Sequence, residues 1–337
     1  MPSYLHDGYN RPRPPRSGSV YNWCVTKSPS ISIVIPAHNA RHTIGMALSS
    51  LYGQTFEDWE TIVVDDGSTD GTANLVRAIG DSRVRIIRQN QSGAAAARNR
   101  GLTMTRGCFI GFLDADDFLF PEYLDRSLQI LAESPTNTLV TNNAYFLTPG
   151  GISPRLVRHG QTIPRSLRKQ QTAILRSNFV SIMSVFPRKL LEDVGDFDSS
   201  LERAEDWDFW IRASFAGWRI AHQRQPMAFI NRTGESLTSA TEKVARSESE
   251  ILRKTARSQP LTRKQSNQVA KRLVIGEPSE LRSESLSALR SRDYLRASRL
   301  HLTATQLETR SPRALARALA FRIAPRTVGR LLRRGLV

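Results

Sequence analysis

Cysteine is scarce: Cys24 and Cys108 are the only two among 337 residues. That is too few, and too scattered, for a disulfide framework or a zinc cluster, and a reducing, cytoplasmic setting is the expectation. No run approaches the ~20 apolar residues that a membrane-spanning helix needs. Residues 1–16 are polar, rich in Pro and Arg and without an apolar stretch behind them, so no secretory signal is expected. Acidic residues are in deficit, with 31 Asp and Glu against 48 Lys and Arg, a net charge of +17. The excess gathers at the end, where residues 241–337 hold 22 Lys and Arg but 8 Asp and Glu. Such a charge attracts anionic partners of any kind, whether nucleic acid, lipid or nucleotide. The aromatic–basic interleaving of a nucleic-acid module is missing, which speaks against that partner.

What is present divides into three zones: a Pro-containing polar arm (1–30), an alternating α/β region (31–238) and a basic, mainly helical extension (239–337). Apolar, β-branched runs predict strands at 31–35, 61–64, 84–87 and 109–113. Helical spacing predicts helices at 42–52, 72–79, 94–105 and 122–133. The alternation implies an α/β fold, a mostly parallel sheet sandwiched by helices. Ligands of such sheets bind beyond the carboxyl ends of the strands.

Polar residues fall at those strand ends. Pro36-Ala37-His38-Asn39 follows the first strand and Asp65-Asp66-Gly67-Ser68-Thr69-Asp70-Gly71 the second. Gly93 and the small-residue run up to Arg98 and Gly101 follow the third, and Asp114-Ala115-Asp116-Asp117 the fourth. Hard carboxylate oxygens suit Mg²⁺ or Mn²⁺, ions that keep waters while bridging phosphates. The alternative for Asp114 to Asp117 is a solvated acidic turn with an Asp capping the next helix. For the second loop the alternative is a turn with Ser68, Thr69 or Asp70 as helix cap, and for 93–101 simple helix packing. Further on, Glu205 and Asp206 open a helix on which Trp207, Trp210 and Ile211 share a core-facing side. Either the helix dipole favours carboxylates there, or Asp206 serves as a general base.

Taken together, Ser-Ile-Val-Ile-Pro-Ala-His-Asn, Val-Val-Asp-Asp-Gly-Ser-Thr-Asp-Gly-Thr, Asn-Gln-Ser-Gly-Ala-Ala-Ala-Ala-Arg-Asn-Arg-Gly, Phe-Leu-Asp-Ala-Asp-Asp, Val-Gly-Asp-Phe-Asp and Glu-Asp-Trp-Asp resemble the family 2 inverting glycosyltransferases with the GT-A fold. The likeness covers residues 32 to about 238. It implies transfer of a sugar from a nucleotide-diphosphate donor to a hydroxyl acceptor in polysaccharide or glycolipid assembly, with Mn²⁺ or Mg²⁺ as cofactor. The acceptor would be a carbohydrate or a lipid-linked sugar. By the same likeness, Pro36, Ala37, His38, Asn39, Asp65, Asp66, Gly93, Arg98, Asp114, Ala115 and Arg232 bind the nucleotide sugar. Asp114 and Asp116 hold the metal, and Asp206 is the catalytic base. Two departures stand out: His38 occupies a position where the family often has Tyr, and Asn231-Arg232-Thr233 keeps an Arg but lacks the His that often follows. A nucleic-acid-binding protein and a nucleotidyltransferase on a similar sheet are the competing classes.

The extension adds one more expectation. Leu315, Leu319, Ile323, Leu331 and Leu332 lie among arginines in 312–324 and 326–334. A basic amphipathic helix of this kind suits an anionic membrane surface, which would place the protein peripherally on the inner face; packing against the catalytic domain, or self-association, is the alternative. Donor and acceptor preference is expected in loops such as 148–163.

Overall fold

The computed structural model describes residues 29–156, 162–232, 240–291 and 293–308. The arm, apart from Pro29 and Ser30, and the basic stretches at 312–324 and 326–334 lie outside the described residues.

The first half follows the predicted alternation. Strands β1 (Ile31–Ala37), β2 (Trp59–Asp66), β3 (Val84–Gln89) and β4 (Phe109–Phe112) are separated by helices α1 (Ile44–Tyr52), α2 (Thr72–Ile79) and α3 (Ala94–Leu102). All four strands run parallel, in the order β3-β2-β1-β4. β1 and β2 are buried on both faces, which is why they read as continuous apolar runs. Alternate residues feed two cores: Ile31, Ile33 and Ile35 pack with Leu48, Val63 and Tyr123 on one side, Val34 with Ile62, Val64 and Phe112 on the other.

The second half departs from a purely parallel sheet. After β5 (Phe118–Leu119) and α4 (Tyr123–Glu133) come β6 (Thr138–Thr148), β7 (Gly151–Leu156), α5 (Leu167–Ile174), β8 (Ser184–Pro187), α6 (Lys189–Val194), α7 (Glu205–Phe215) and β9 (Arg219–Asn231). β8 pairs antiparallel with both β4 and β6, β6 pairs parallel with β9, β5 closes one edge antiparallel to β9, and β7 pairs antiparallel with the end of β6. The sheet is therefore mixed. The segment at 148–163, expected as a loop, contains the β7 hairpin strand.

Helices α8 (Ala240–Ser258), α9 (Arg263–Arg290) and α10 (Tyr294–Glu308) complete the described chain. They occupy the described part of the stretch read as an extension, but α8 is no appendage. Ile251 and Leu252 of α8 and Val269 of α9 are buried in the same cluster as Trp207, Phe209 and Trp210 of α7. Lys254 adds ion pairs to Asp198 at 2.7 Å and to buried Asp208 at 3.0 Å. No described helix is long and apolar enough to cross a membrane.

Candidate active site

A cleft of about 710 Å³ opens at the carboxyl ends of β1, β2 and β4. Its walls bring together Pro36, Ala37, His38, Asn39, Asp66, Arg98, Asp114, Ala115, Asp116 and Asp206, all named from sequence. Loop geometry explains the convergence. Asn39 adopts a left-handed φ of 49°, a conformation that Asn tolerates better than most residues. From there its side chain accepts from Thr69 N at 2.9 Å, while its own N–H donates to Ser68 Oγ. The β1 and β2 loops are thereby tied together. Asp66 accepts from Gln89 Nε2 and from the backbone N–H groups of Ser92 and Gly93, each at 2.8 Å, which fixes the start of α3. His38, exposed on the rim, donates through Nδ1 to Asp66 O at 2.7 Å; its Nε2 faces the side-chain amides of Asn39 and Gln91 at 3.2 and 3.3 Å.

The three carboxylates after β4 have three different surroundings. Asp114 accepts from Arg98 Nη2 at 2.8 Å. Asp117 is buried and accepts from Asn231 N at 2.9 Å; burial and the neighbouring Asp114 raise its pKa well above the ordinary range. Asp116 opens into the cleft beside Asp114, and desolvation followed by the Asp114 charge raises its pKa. Helix capping is not their role, because α4 begins at Tyr123 with Glu122 as its N-cap residue and has no side-chain cap. Two like charges facing one cavity call for a cation, and Asp114 with Asp116 offers hard oxygens for it. Among the described residues no group of three or more His, Cys, Asp or Glu could hold a metal alone. The pair therefore fits an ion that completes its shell with water and substrate phosphate, as Mg²⁺ and its kin do.

Arg98 is buried, bonding Asp114 with one nitrogen and Glu205 with another. Desolvation opposes its charge, yet the Asp114 and Glu205 carboxylates outweigh it and raise the pKa. Glu205 belongs to α7, so this one guanidinium joins the metal-candidate loop to the helix bearing Asp206. Ala204, just before that helix, has a left-handed φ of 59°, which is strained for a residue with a Cβ and recurs at functional sites. Asp206 accepts from Asn178 Nδ2 and from Trp207 N, each at 2.8 Å. Burial, then repulsion from Glu205, pushes its pKa up to about 6 against the lowering pull of Arg98. The tryptophans of α7 are core residues, as their spacing indicated: Trp207 and Trp210 are fully buried.

Three of the sequence-named residues lie off the cleft wall. Asp65 leaves β2 on the face opposite Asp66; it is fully buried, accepting from Ser68 N at 2.9 Å and pairing with Arg88 at 3.4 Å. Gly93 gives its N–H to Asp66, and Ala94 lines the cleft instead. Arg232 stacks over Phe146, 4.0 Å from the ring centre, because its backbone joins the end of β6 at Leu147; Asn231 takes the wall position. Gly101 serves packing, with Val34 and Val64 directly against it. Glu205 and Asn178 had not been assigned roles at the site. Glu205 carried a signal, standing beside Asp206 in the Glu-Asp pair, whereas Asn178 meets Asp206 only through tertiary packing.

A GT-A-type sheet with paired carboxylates and an elevated Asp at its carboxyl edge defines the class, a glycosyltransferase domain. Residues 32–195 match the model of Glycosyl transferase family 2, and that stretch is a domain of this family. The chain is 28% identical over 195 residues to the hyaluronan synthase of Pasteurella multocida, covering 57% of this chain and 19% of that protein. It is 31% identical over 206 residues to the succinoglycan biosynthesis protein ExoO of Rhizobium meliloti, covering 58% and 59%. The chain thus spans between about a fifth and three fifths of these curated relatives. Among solved structures, residues 1–349 of S. aureus TarS in complex with UDP-GlcNAc superpose with a TM-score of 0.61 at 22% identity, covering 91% of this chain and 92% of that one. The mannosyltransferase PcManGT from Pyrobaculum calidifontis, in complex with GDP-Man and Mn²⁺, gives 0.57 at 19% identity, covering 92% and 90%. At those identities the likeness carries the fold.

Proposed function

We propose that the protein is an inverting, metal-dependent glycosyltransferase that moves a sugar from a nucleoside diphosphate to a hydroxyl acceptor in polysaccharide or glycolipid assembly. The observation that carries this reading is that one cleft brings the Asp114–Asp116 pair to face Asp206, which Asn178 and the Trp207 N–H hold in place. A Mn²⁺ or Mg²⁺ ion held by Asp114 and Asp116 would neutralise the diphosphate as it leaves. Arg98 keeps Asp114 and Glu205 aligned and adds positive charge beside the same wall. Pro36 to Asn39 and Asp66 form the nucleotide end of the cleft. Asp206, oriented by Asn178, takes the proton of the acceptor hydroxyl. The acceptor oxygen then bonds to the anomeric carbon from the side opposite the diphosphate. The bond to the diphosphate breaks, and the anomeric configuration inverts.

The names of the curated relatives, hyaluronan synthase and succinoglycan biosynthesis protein among them, support a glycan acceptor. The UDP-GlcNAc and GDP-Man complexes of the structural neighbours support a nucleotide-sugar donor. The basic sequence beyond residue 308 supports peripheral attachment to an anionic membrane from the cytoplasmic side. The test is a panel of nucleotide sugars with Mn²⁺ or Mg²⁺ and sugar acceptors, scored by nucleoside diphosphate release and product anomer. Release of pyrophosphate instead would indicate nucleotidyl transfer, and retained configuration would remove the single-displacement reading. Attachment is tested by pelleting with anionic vesicles, which deletion of 312–337 should abolish.

A further inference from the structure

A second large cavity lies away from the cleft. It occupies about 610 Å³ beside the starts of β6 and β9 and shares no lining residue with the first. Because β6 runs antiparallel to β8, and β8 antiparallel to β4, those starts are at the sheet edge opposite Asp114. Three arginines border it: Arg165 before α5, Arg219 at the start of β9 and Arg224 within β9. Among the described residues no Asp or Glu lines the cavity, and none of the three arginines forms an ion pair.

The backbone around them is fixed from within. Gln170 of α5 is buried, and its Nε2 donates to Pro164 O and to Ile220 O, each at 2.8 Å. Its Oε1 accepts from Ile220 N at 3.0 Å. Pro164 and Ile220 adjoin Arg165 and Arg219, so one side chain sets the separation of two cationic walls. Arg219 is further anchored by its N–H to Asn137 O at 2.8 Å. Arg224 owes its place to a bulge: Asn142 pairs with Gln223 and Asn143 with Pro226, leaving Arg224 and Gln225 outside the register. Bulges of this kind re-aim side chains next to binding sites. The three arginines are exposed along the rim of one cavity, where an anion would meet three cations, and their planar forks match phosphate oxygens. The volume exceeds what a bare phosphate ion fills and falls in the range of organic-ligand pockets.

We infer that the cavity bordered by Arg165, Arg219 and Arg224 is a second binding site, for a phosphoryl group carried on a larger organic body. The phosphoryl oxygens take the guanidinium donors and the attached body fills the remaining volume.

Hydrogen–deuterium exchange of the full chain in chelator, with sn-glycerol 3-phosphate or with vesicles, tests the site without reference to catalysis. Glycerol phosphate is expected to slow exchange in 162–175 and 217–226. The concentration required should rise at least tenfold in Arg219→Gln/Arg224→Gln and in Arg165→Gln, whose change lies on a different element. Asp116→Ala should respond like the wild type. Slowing by phosphatidylglycerol vesicles but not by soluble glycerol phosphate or phosphatidylcholine would support the site and assign the group to a lipid. Slowing by both phosphate sources would support a site satisfied by the soluble group. No slowing by either, an equal response in the arginine variants, or loss of the response in Asp116→Ala would overturn the proposal.

Discussion

Arg98 Nη2 lies 2.8 Å from Asp114 Oδ1, and the same guanidinium reaches Glu205 through Nη1. One buried cation thus holds together two carboxylates that are 91 residues apart in sequence. Removing it strands both. Arg98→Met should destabilise the fold by about 3–5 kcal/mol, the usual cost of leaving buried charge uncompensated. Arg98→Lys keeps the charge but not the fork, and a displaced Asp114 should lower kcat by roughly 10²-fold. Urea melts and steady-state rates check the two outcomes separately.

Asp206 sets the pH dependence. The base must be ionised to accept a proton, so activity should rise with pH through about 6 and then level. Asp206→Asn should cost roughly 10²–10⁴-fold in kcat and abolish that limb. Stability moves in the opposite sense. The folded pKa of about 6 exceeds the ordinary aspartate value of 3.8, so this group's contribution is fully present below about 3.8 and lost as pH rises through about 6. The Asn variant should lack that loss, which thermal melts across pH 4 to 8 would reveal.

Helix α3 approaches the sheet at a position where only glycine fits. A Cβ at Gly101 would fall 2.3 Å from Val34 Cγ1 and 3.2 Å from Val64 Cγ2. Gly101→Ala should therefore cost about 1–3 kcal/mol through overpacking. Equal urea midpoints for variant and wild type would contradict this placement of the helix.

Lys254 ties α8 to the helix that carries Asp206, bonding Asp198 at 2.7 Å and Asp208 at 3.0 Å. Asp208 retains Arg212 at 2.8 Å, so Lys254→Met should cost roughly 1.5–3 kcal/mol, the range for charge-assisted bonds. Faster amide exchange in both 240–258 and 205–215 would show that the two helices lean on each other.

Residues 31 to 133 were legible because β1, β2 and β4 are buried on both faces and the first four strands each end in polar punctuation. β6 was harder to read, since Thr141, Asn142 and Asn143 are buried in the middle of it and break the apolar run. β9 carries Arg224, Gln225 and Pro226 at its bulge, which reads as a turn, and β8 has only four residues. The cleft was legible wherever functional residues sit at the end of a strand. Asp65 misled because adjacent residues of a strand point to opposite faces, so a pair of aspartates supplies one wall residue. The clamp of Arg98 on Glu205 left no local trace, since it depends on how α7 docks against α3. The shared core of α7, α8 and α9 was equally hidden, because the basic composition of the final zone masks the few apolar residues that bind it to the domain.

The most direct measurement is calorimetric titration of the full chain with UDP and with GDP, in Mn²⁺ and then in chelator, for wild type and Asp116→Asn. The predicted result is that at least one nucleotide binds wild type in Mn²⁺, and that chelator or the substitution weakens binding at least tenfold while thermal melts show an intact fold. Nucleotide binding of equal strength in all conditions would contradict a cation held by Asp114 and Asp116.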